Sequence, residues 1–206
     1  MSEGAAEIGP VTLEGAHVRL EPLDLSKHWD GLLAIGLYPE LWRFTASKVW
    51  DEASLRRYLE KALDEQSCGD SVPFATIHRA TGAVAGCTRF GNIVRQHKRA
   101  EIGWTWVGQE HQRTAVNTEA KYLMLRHAFE VWKLMRVEFK TSSTNLKSQN
   151  AMRRLGLIEE GTFRKWMFNE DGTTRDTMWF SVIDDEWPAM KVRLDELIRV
   201  RTRYDA

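Results

Sequence analysis

The sequence predicts an α+β fold: one twisted mixed β-sheet of about seven strands with helices on both faces. Three observations lead there. Runs of period-two alternation are interleaved with runs of helical periodicity, in the order strand, two helices, three strands, helix, strand, helix, two strands, helix. Two turn signals, residues 80–83 and Asp171-Gly172, lie between strand-like runs as hairpin turns do. No repeat, low-complexity tract or Pro/Gly/Ser-rich linker divides the 206 residues, so a single domain is expected. Its core should run from about residue 12 to about residue 198, with loose ends at residues 1–10 and about 200–206.

Each element has its own justification. Residues 16–21 alternate and suit a short first strand, and residues 27–37 look helical until Pro39 interrupts them. Asp51 can cap the next helix, where Leu55, Tyr58, Leu59, Ala62 and Leu63 recur at the spacing of one apolar face and Gly69 lies beyond the end. Strands follow at residues 74–79 and 84–90, then a basic turn at residues 95–99. In residues 101–107 Glu101, Gly103 and Thr105 alternate with Ile102, Trp104 and Trp106, which predicts a third strand with Glu101, Gly103 and Thr105 on one face. A loop over residues 108–117 leads to a helix over about 118–133. A strand at residues 136–141 and a short helix at residues 148–155, stopped by Gly156, come next. Strands at residues 163–168 and 177–183 precede a last helix that begins at Asp185.

Composition excludes several functions. Lys plus Arg equal Asp plus Glu at 29 each, so no global field draws the chain to nucleic acid. The cluster Arg95-Gln96-His97-Lys98-Arg99 is the one feature that argues for a nucleic-acid-associated module, and no binding motif accompanies it. No apolar run approaches membrane-spanning length and none resembles a signal peptide, which predicts a cytoplasmic protein with no membrane partner. Cys68 and Cys87 form neither a disulfide framework nor a nucleophile motif, and the six histidines show no metal-ligand spacing, so no metal is expected. Nine tryptophans imply an aromatic core, a ring-walled pocket, or both.

The most informative stretch is residues 100–119. A strand, a loop and a helix follow one another, and the first N–H groups of a helix have no intrahelical partner. With the helix dipole behind them they attract anions. The turn Gln112-Arg113-Thr114-Ala115-Val116-Asn117 is therefore either an ordinary connection or a pyrophosphate cradle.

Ala100-Glu101-Ile102 followed by Gln112-x-x-Ala115-x-Asn117 resembles the cofactor-binding motif of the GCN5-related N-acetyltransferases (GNAT), usually written Q/R-x-x-G-x-G/A. Ala115 and Asn117 depart from its small residues; Asn tolerates left-handed backbone well. Asn145-x-x-Ser148, then Leu155-Gly156-Leu157, resembles the family's second motif. The runs 117–121, 136–140 and 161–164 are similar to its RimJ/RimL-like ribosomal-protein acetyltransferase branch. The likeness extends over nearly the whole chain.

That resemblance implies acetyl-CoA as co-substrate and acetyl transfer to an amine, on a protein N-terminus or a small molecule, by direct attack in a ternary complex. It implies a cradle for the pyrophosphate in Gln112 and the backbone of Arg113, Thr114, Ala115, Val116, Asn117 and Thr118. A backbone N–H at Trp106 or Val107 would hold the acetyl carbonyl, and Asn145 and Ser148 would contact the pantetheine arm. Glu101 falls where some members carry the catalytic glutamate. Trp42, Phe44 and Trp50 fall in the region that faces the acceptor, where rings wall a pocket or cover the core. The family's frequent general-acid tyrosine falls on Met152, which cannot donate a proton; an acyl-CoA-binding module of weak catalysis is the alternative this keeps open. A homodimer is compatible with the resemblance, and the acceptor's identity is beyond the sequence.

Overall fold

The structure, a computed structural model, describes residues 7–202; residues 1–6 and 203–206, parts of the two expected loose ends, lie outside it. Eight strands form a single sheet: β1 (Leu13–Glu14), β2 (Val18–Pro22), β3 (Val72–His78), β4 (Val84–Val94), β5 (Arg99–Val107), β6 (Arg136–Ser142), β7 (Ile158–Phe168) and β8 (Thr174–Ile183). Their order across the sheet is β1-β2-β3-β4-β5-β6-β8-β7. All neighbours are antiparallel except β5 and β6. The strand beyond the seven expected is β1, too short at two residues to leave a periodic signal.

Five helices complete the chain: α1 (Leu25–Gly36), α2 (Glu52–Ser67), α3 (Val116–Arg126), α4 (Leu146–Leu155) and α5 (Trp187–Thr202). Asp51 caps α2 in a capping box with Ser54, a contact of about 1 kcal/mol in typical hosts. Asn145 caps α4, and Gly156 ends it in a left-handed conformation. α3 starts at Val116, two residues before the expected start, and after Arg126 it widens into a π-type turn at His127–Val131. α5 starts after a short 3₁₀ turn at Asp184–Glu186 and runs on through Thr202, into the stretch expected to be loose.

The sheet separates two apolar clusters. Alternation along β3 sends Val72 and Phe74 to one side and Ala75 and Ile77 to the other. On the first side they meet Leu123 and Met124 of α3 and Leu194 of α5; on the second they meet Leu32 of α1 and Leu55 and Leu59 of α2. Leu55, Leu123 and Leu194 are fully buried or nearly so, and truncating any of them to alanine should cost about 2–5 kcal/mol.

Two bulges break the regularity of β4 and β5. Opposite the two-residue step Cys87/Arg89 of β4, β5 advances three residues from Gly103 to Trp106, and Trp104 takes a left-handed φ of 50°. The extra residue reverses the alternation expected for this strand. Glu101 and Gly103 share a face, but Thr105 turns to the α3 side, where its hydroxyl meets Thr88 and the Lys121 ammonium. Trp106 turns to the α1–α2 side and packs against Trp42. The second bulge lies between Gly91 and Val94, where Asn92 is left-handed with a φ of 48°.

Candidate active site

β5 and β6 run side by side for only three pairs: Arg99 with Arg136, Ala100 with Val137 and Glu101 with Glu138. Beyond them β5 continues to Val107 and β6 to Ser142 without pairing. β6 stays paired to β8 as far as Ser142, so the gap opens on the β5 side alone. The result is a fork whose β5 edge presents unpaired backbone groups. Gly108 donates its N–H to Ala85 and Trp106 pairs with Cys87, two residues along the same ladder. Antiparallel alternation then turns the amide of Trp106 toward β4 and that of Val107 into the fork. Of the two expected positions, Val107 is the one aimed at the gap.

Glu101 lies at the closed end of the fork and is 6 % exposed. Its Oε2 accepts a hydrogen bond from the Asn92 amide at 2.6 Å and lies 2.7 Å from Lys140 Nζ. Asn92 reaches it from the β4 bulge, and Lys140 crosses from β6, its ammonium over the ring of Trp179. The sequence pattern marks Glu101 but neither Asn92 nor Lys140, which reach it only through the bulge and the parallel pairing.

On one side of the fork stands the loop before α3. Gln112 bridges it to its surroundings: its amide donates to the carbonyl of Val107 at 2.9 Å and its carbonyl accepts from Lys147 at 2.6 Å. Thr114 donates to the carbonyl of His111, which tightens the turn. The left-handed residue is Arg113, with a φ of 69°, and not Asn117, which lies inside α3. Asn117's tolerance of that conformation is thus not what shapes the loop. Ala115, at the N-cap of α3, offers no side-chain acceptor, and the Thr114 hydroxyl before it accepts the N–H of Val116 at 3.3 Å. Ala115 and Val116 are buried, whereas Arg113 is exposed. Glu119, in the first turn, faces away from the fork and takes the N–H groups of Ala16, His17 and Val18, fixing the β1–β2 turn to the helix. Asn145 and Ser148 start α4, where the Asn145 carbonyl oxygen accepts the N–H of Ser148 at 3.1 Å. Lys147, between them, joins that helix to Gln112.

On the other side lies a cleft of about 350 Å³ between three segments: the α1–α2 connection, the end of β6 and the β7–β8 hairpin. Of the three aromatic residues expected to face an acceptor, Phe44 lines it. Trp42 does not; it is 2 % exposed, bonds the carbonyl of Gly36 through its indole N–H and belongs to the core. Trp50 is 65 % exposed and lies outside the lining. Arg175, which no motif marked, lines the cleft and donates to the carbonyl of Phe44 at 3.1 Å. Nothing in the sequence separates Arg175 from the other charged residues of that hairpin.

Beneath β5, on the α3 side, Lys121 is 6 % exposed and donates to the hydroxyls of Thr88 and Thr105. Burial pushes its ammonium down to about 7. Burial likewise pushes the Cys87 thiol up to about 12, which makes it inert as a nucleophile at neutral pH. No group of three His, Cys, Asp or Glu among the described residues could hold a metal ion, and no described helix is long and apolar enough to cross a membrane.

A sheet forked beside a strand–loop–helix is an arrangement that known proteins share. Residues 17–158 match the acetyltransferase (GNAT) domain family, and the chain belongs to that family. A GCN5-related N-acetyltransferase from Brucella melitensis superposes with a TM-score of 0.87 at 31 % identity, covering 96 % of this chain and 90 % of that one. RimJ of Mycobacterium smegmatis, solved in complex with CoA-disulfide, shares the fold with a TM-score of 0.75 at 22 % identity, over 91 % of this chain and 95 % of its own. Among curated proteins, the chain is 29 % identical over 110 residues to YdaF of Bacillus subtilis (strain 168), provisionally named a ribosomal N-acetyltransferase; the match covers 53 % of this chain and 59 % of YdaF.

Proposed function

We propose that the chain transfers the acetyl group of acetyl-CoA to an amine by direct attack, with both substrates bound at once. The observation that carries this reading is the fork: β5 backbone that β6 does not pair lies between the start of α3 on one side and a charged cleft on the other, with Glu101 at its closed end. The residues fit the cofactor. The N–H groups at the start of α3 would take the pyrophosphate, helped by the exposed Arg113, and Gln112 would hold the loop against Val107 and Lys147. Asn145 and Ser148 start α4, which Lys147 ties to that loop, and the pantetheine arm would pass beside them.

Acetyl-CoA supplies a thioester, and the chemistry is a nitrogen–carbon bond formed as a carbon–sulfur bond breaks, with one proton leaving the amine and one joining the thiolate. The Val107 N–H aims at the acetyl oxygen and stabilises the charge that gathers there. Glu101 receives the amine's proton, directly or through a water. The Lys140 ammonium already pairs with this carboxylate, so a cationic amine drawn to Glu101 would have to share it. Met152, half-buried against the core, cannot protonate the thiolate; water or the proton lost by the amine does so.

Titration with acetyl-CoA, followed by thermal unfolding, tests the reading. Binding stabilises the folded chain by RT ln(1 + [L]/Kd), so ligand at about 100 times Kd adds about 2.7 kcal/mol. A folded protein with no shift at millimolar acetyl-CoA would overturn it. Release of free thiol with an amine panel then reads turnover.

A further inference from the structure

The cleft on the acceptor side has a composition that the fork alone does not require. Its lining carries three cations, Arg43, Lys48 and Arg175, against one carboxylate, Asp176. Asp176 is engaged, since its Oδ1 accepts the backbone N–H of Lys165 at 2.7 Å. Arg43 is paired with Glu40 in an exposed contact. Among the described residues Lys48 donates its ammonium to the carbonyls of Trp42 and Arg43; Glu170 takes the Lys48 backbone N–H, and Asp171, which feels the Lys48 charge, is bonded to Thr173.

Arg175 is the outlier. It is half-buried, yet it joins no ion pair among the described residues. Nε donates to Thr177 at 3.4 Å and Nη1 to the Phe44 carbonyl at 3.1 Å, which fixes the plane of the guanidinium and leaves Nη2 with no partner among the described residues. A guanidinium withdrawn from water and pinned by neutral acceptors is a site prepared for an anion. It is also close enough to Glu101 to feel that carboxylate, which opposes the lowering of its pKa by burial. Arg175 lines the cleft, and Glu101, outside that lining, lies within reach of the guanidinium's charge.

We propose that the acceptor is a small amine that itself carries an anionic group, a carboxylate or a phosphate, which Arg175 receives while the amine reaches Glu101. This rests on the acetyl-transfer reading of the same site and adds the acceptor's class. The volume suits it, because small-molecule sites begin at about 300 Å³. Lys48 supplies a second positive charge at the rim.

The test compares matched acceptors: the proteinogenic amino acids, their carboxamides, O-phosphoethanolamine with ethanolamine, and uncharged peptide amides. The expected result is kcat/KM higher by about 10- to 100-fold for the anionic member of a pair. The carboxylate and phosphate arms identify which anion the cleft prefers. In Arg175→Gln, which keeps a donor for Phe44, the ratio of anionic to neutral acceptor should collapse toward unity. Equal turnover of both members by the wild type, or a ratio unchanged in Arg175→Gln, overturns the proposal. So does turnover of neutral amides alone. Stabilisation by acetyl-CoA is measured on the same samples: if it persists while anionic amines fail, the acceptor class is wrong and the cofactor reading stands. If it is absent, the parent reading falls, and calorimetry with the amino acids alone still decides whether Arg175 binds an anion.

Discussion

The two sides of the fork are built in opposite ways. On the function proposed above, the loop before α3 is one contiguous stretch whose chemistry would lie in backbone N–H groups, positioned by a helix start and by one left-handed residue, Arg113. The cleft opposite is assembled from the α1–α2 connection, the end of β6 and the β7–β8 hairpin, and its chemistry lies in side chains. A site of backbone groups is general: it accepts any ligand with the right phosphate geometry, and many sequences can make it. A site of side chains drawn from distant segments is particular, and single substitutions there change what is accepted.

Four substitutions would break or sharpen that contrast. The largest effect belongs to Glu101, where the sides meet. Glu101→Gln keeps the size and still accepts from Asn92 and Lys140, so as a base its loss should lower kcat by about 10²- to 10⁴-fold with acetyl-CoA affinity unchanged. If it acts only by attracting a cationic amine, KM rises and kcat holds; steady-state constants across pH distinguish the two. On the loop side, Arg113→Asp should weaken acetyl-CoA binding by about 100-fold in thermal-shift titration, because it sets a carboxylate beside the phosphates. Asp adopts left-handed backbone several times more readily than most residues, so the loop is preserved. The buried Ala115 is a poorer probe, since Ala115→Asp would also bury an unpaired charge and destabilise the fold.

The third substitution concerns Lys121, under the strand that divides the sides. Its pKa, about 7 in the folded chain, returns to its ordinary value near 10.4 on unfolding. Between those values the unfolded chain holds a proton that the folded chain has released, so wild-type stability rises with pH through that window. Below it the fold carries the whole penalty of a buried ammonium. Lys121→Met removes the penalty, and Thr88 and Thr105 keep each other as partners. Its Tm should exceed that of the wild type by more than about 2 °C at pH 6, with the gap closing toward pH 10. The smallest effect is expected at Trp50→Ala: the ring is exposed and outside the cleft, and KM should move by less than about twofold.

What the sequence disclosed follows the same division. The helix and strand order, the Asp51 cap and the loop before α3 were legible because each rests on contiguous residues whose periodicity or turn chemistry is local. Glu101 was legible by its place on β5. Arg175, Lys140 and Asn92 were not, because their meaning comes from pairing across the sheet and from a bulge. Trp42 and Trp50 show the same limit from the other direction: both rings lie in the right segment, and only tertiary packing sends one into the core and leaves the other in solvent. The unbroken alternation of residues 101–107 concealed the extra residue at Trp104, since a bulge leaves the pattern of residue types intact while inverting which face each one occupies.

Because β5 has one residue more than the β4 segment it pairs with, its two halves run out of phase, and its tolerance of length differs from its tolerance of composition. Deleting Trp104 would bring the halves into step with Gly103 still opposite Arg89 and Trp106 still opposite Cys87, so both faces keep their side chains. Adding a residue there instead would move everything beyond it by one place. Trp106 would then exchange sides and leave Trp42 without its ring neighbour, and the amide aimed into the fork would turn back toward β4. Conservative replacements along the strand leave that arithmetic untouched, so this segment should accept changes of residue far more readily than the gain of one.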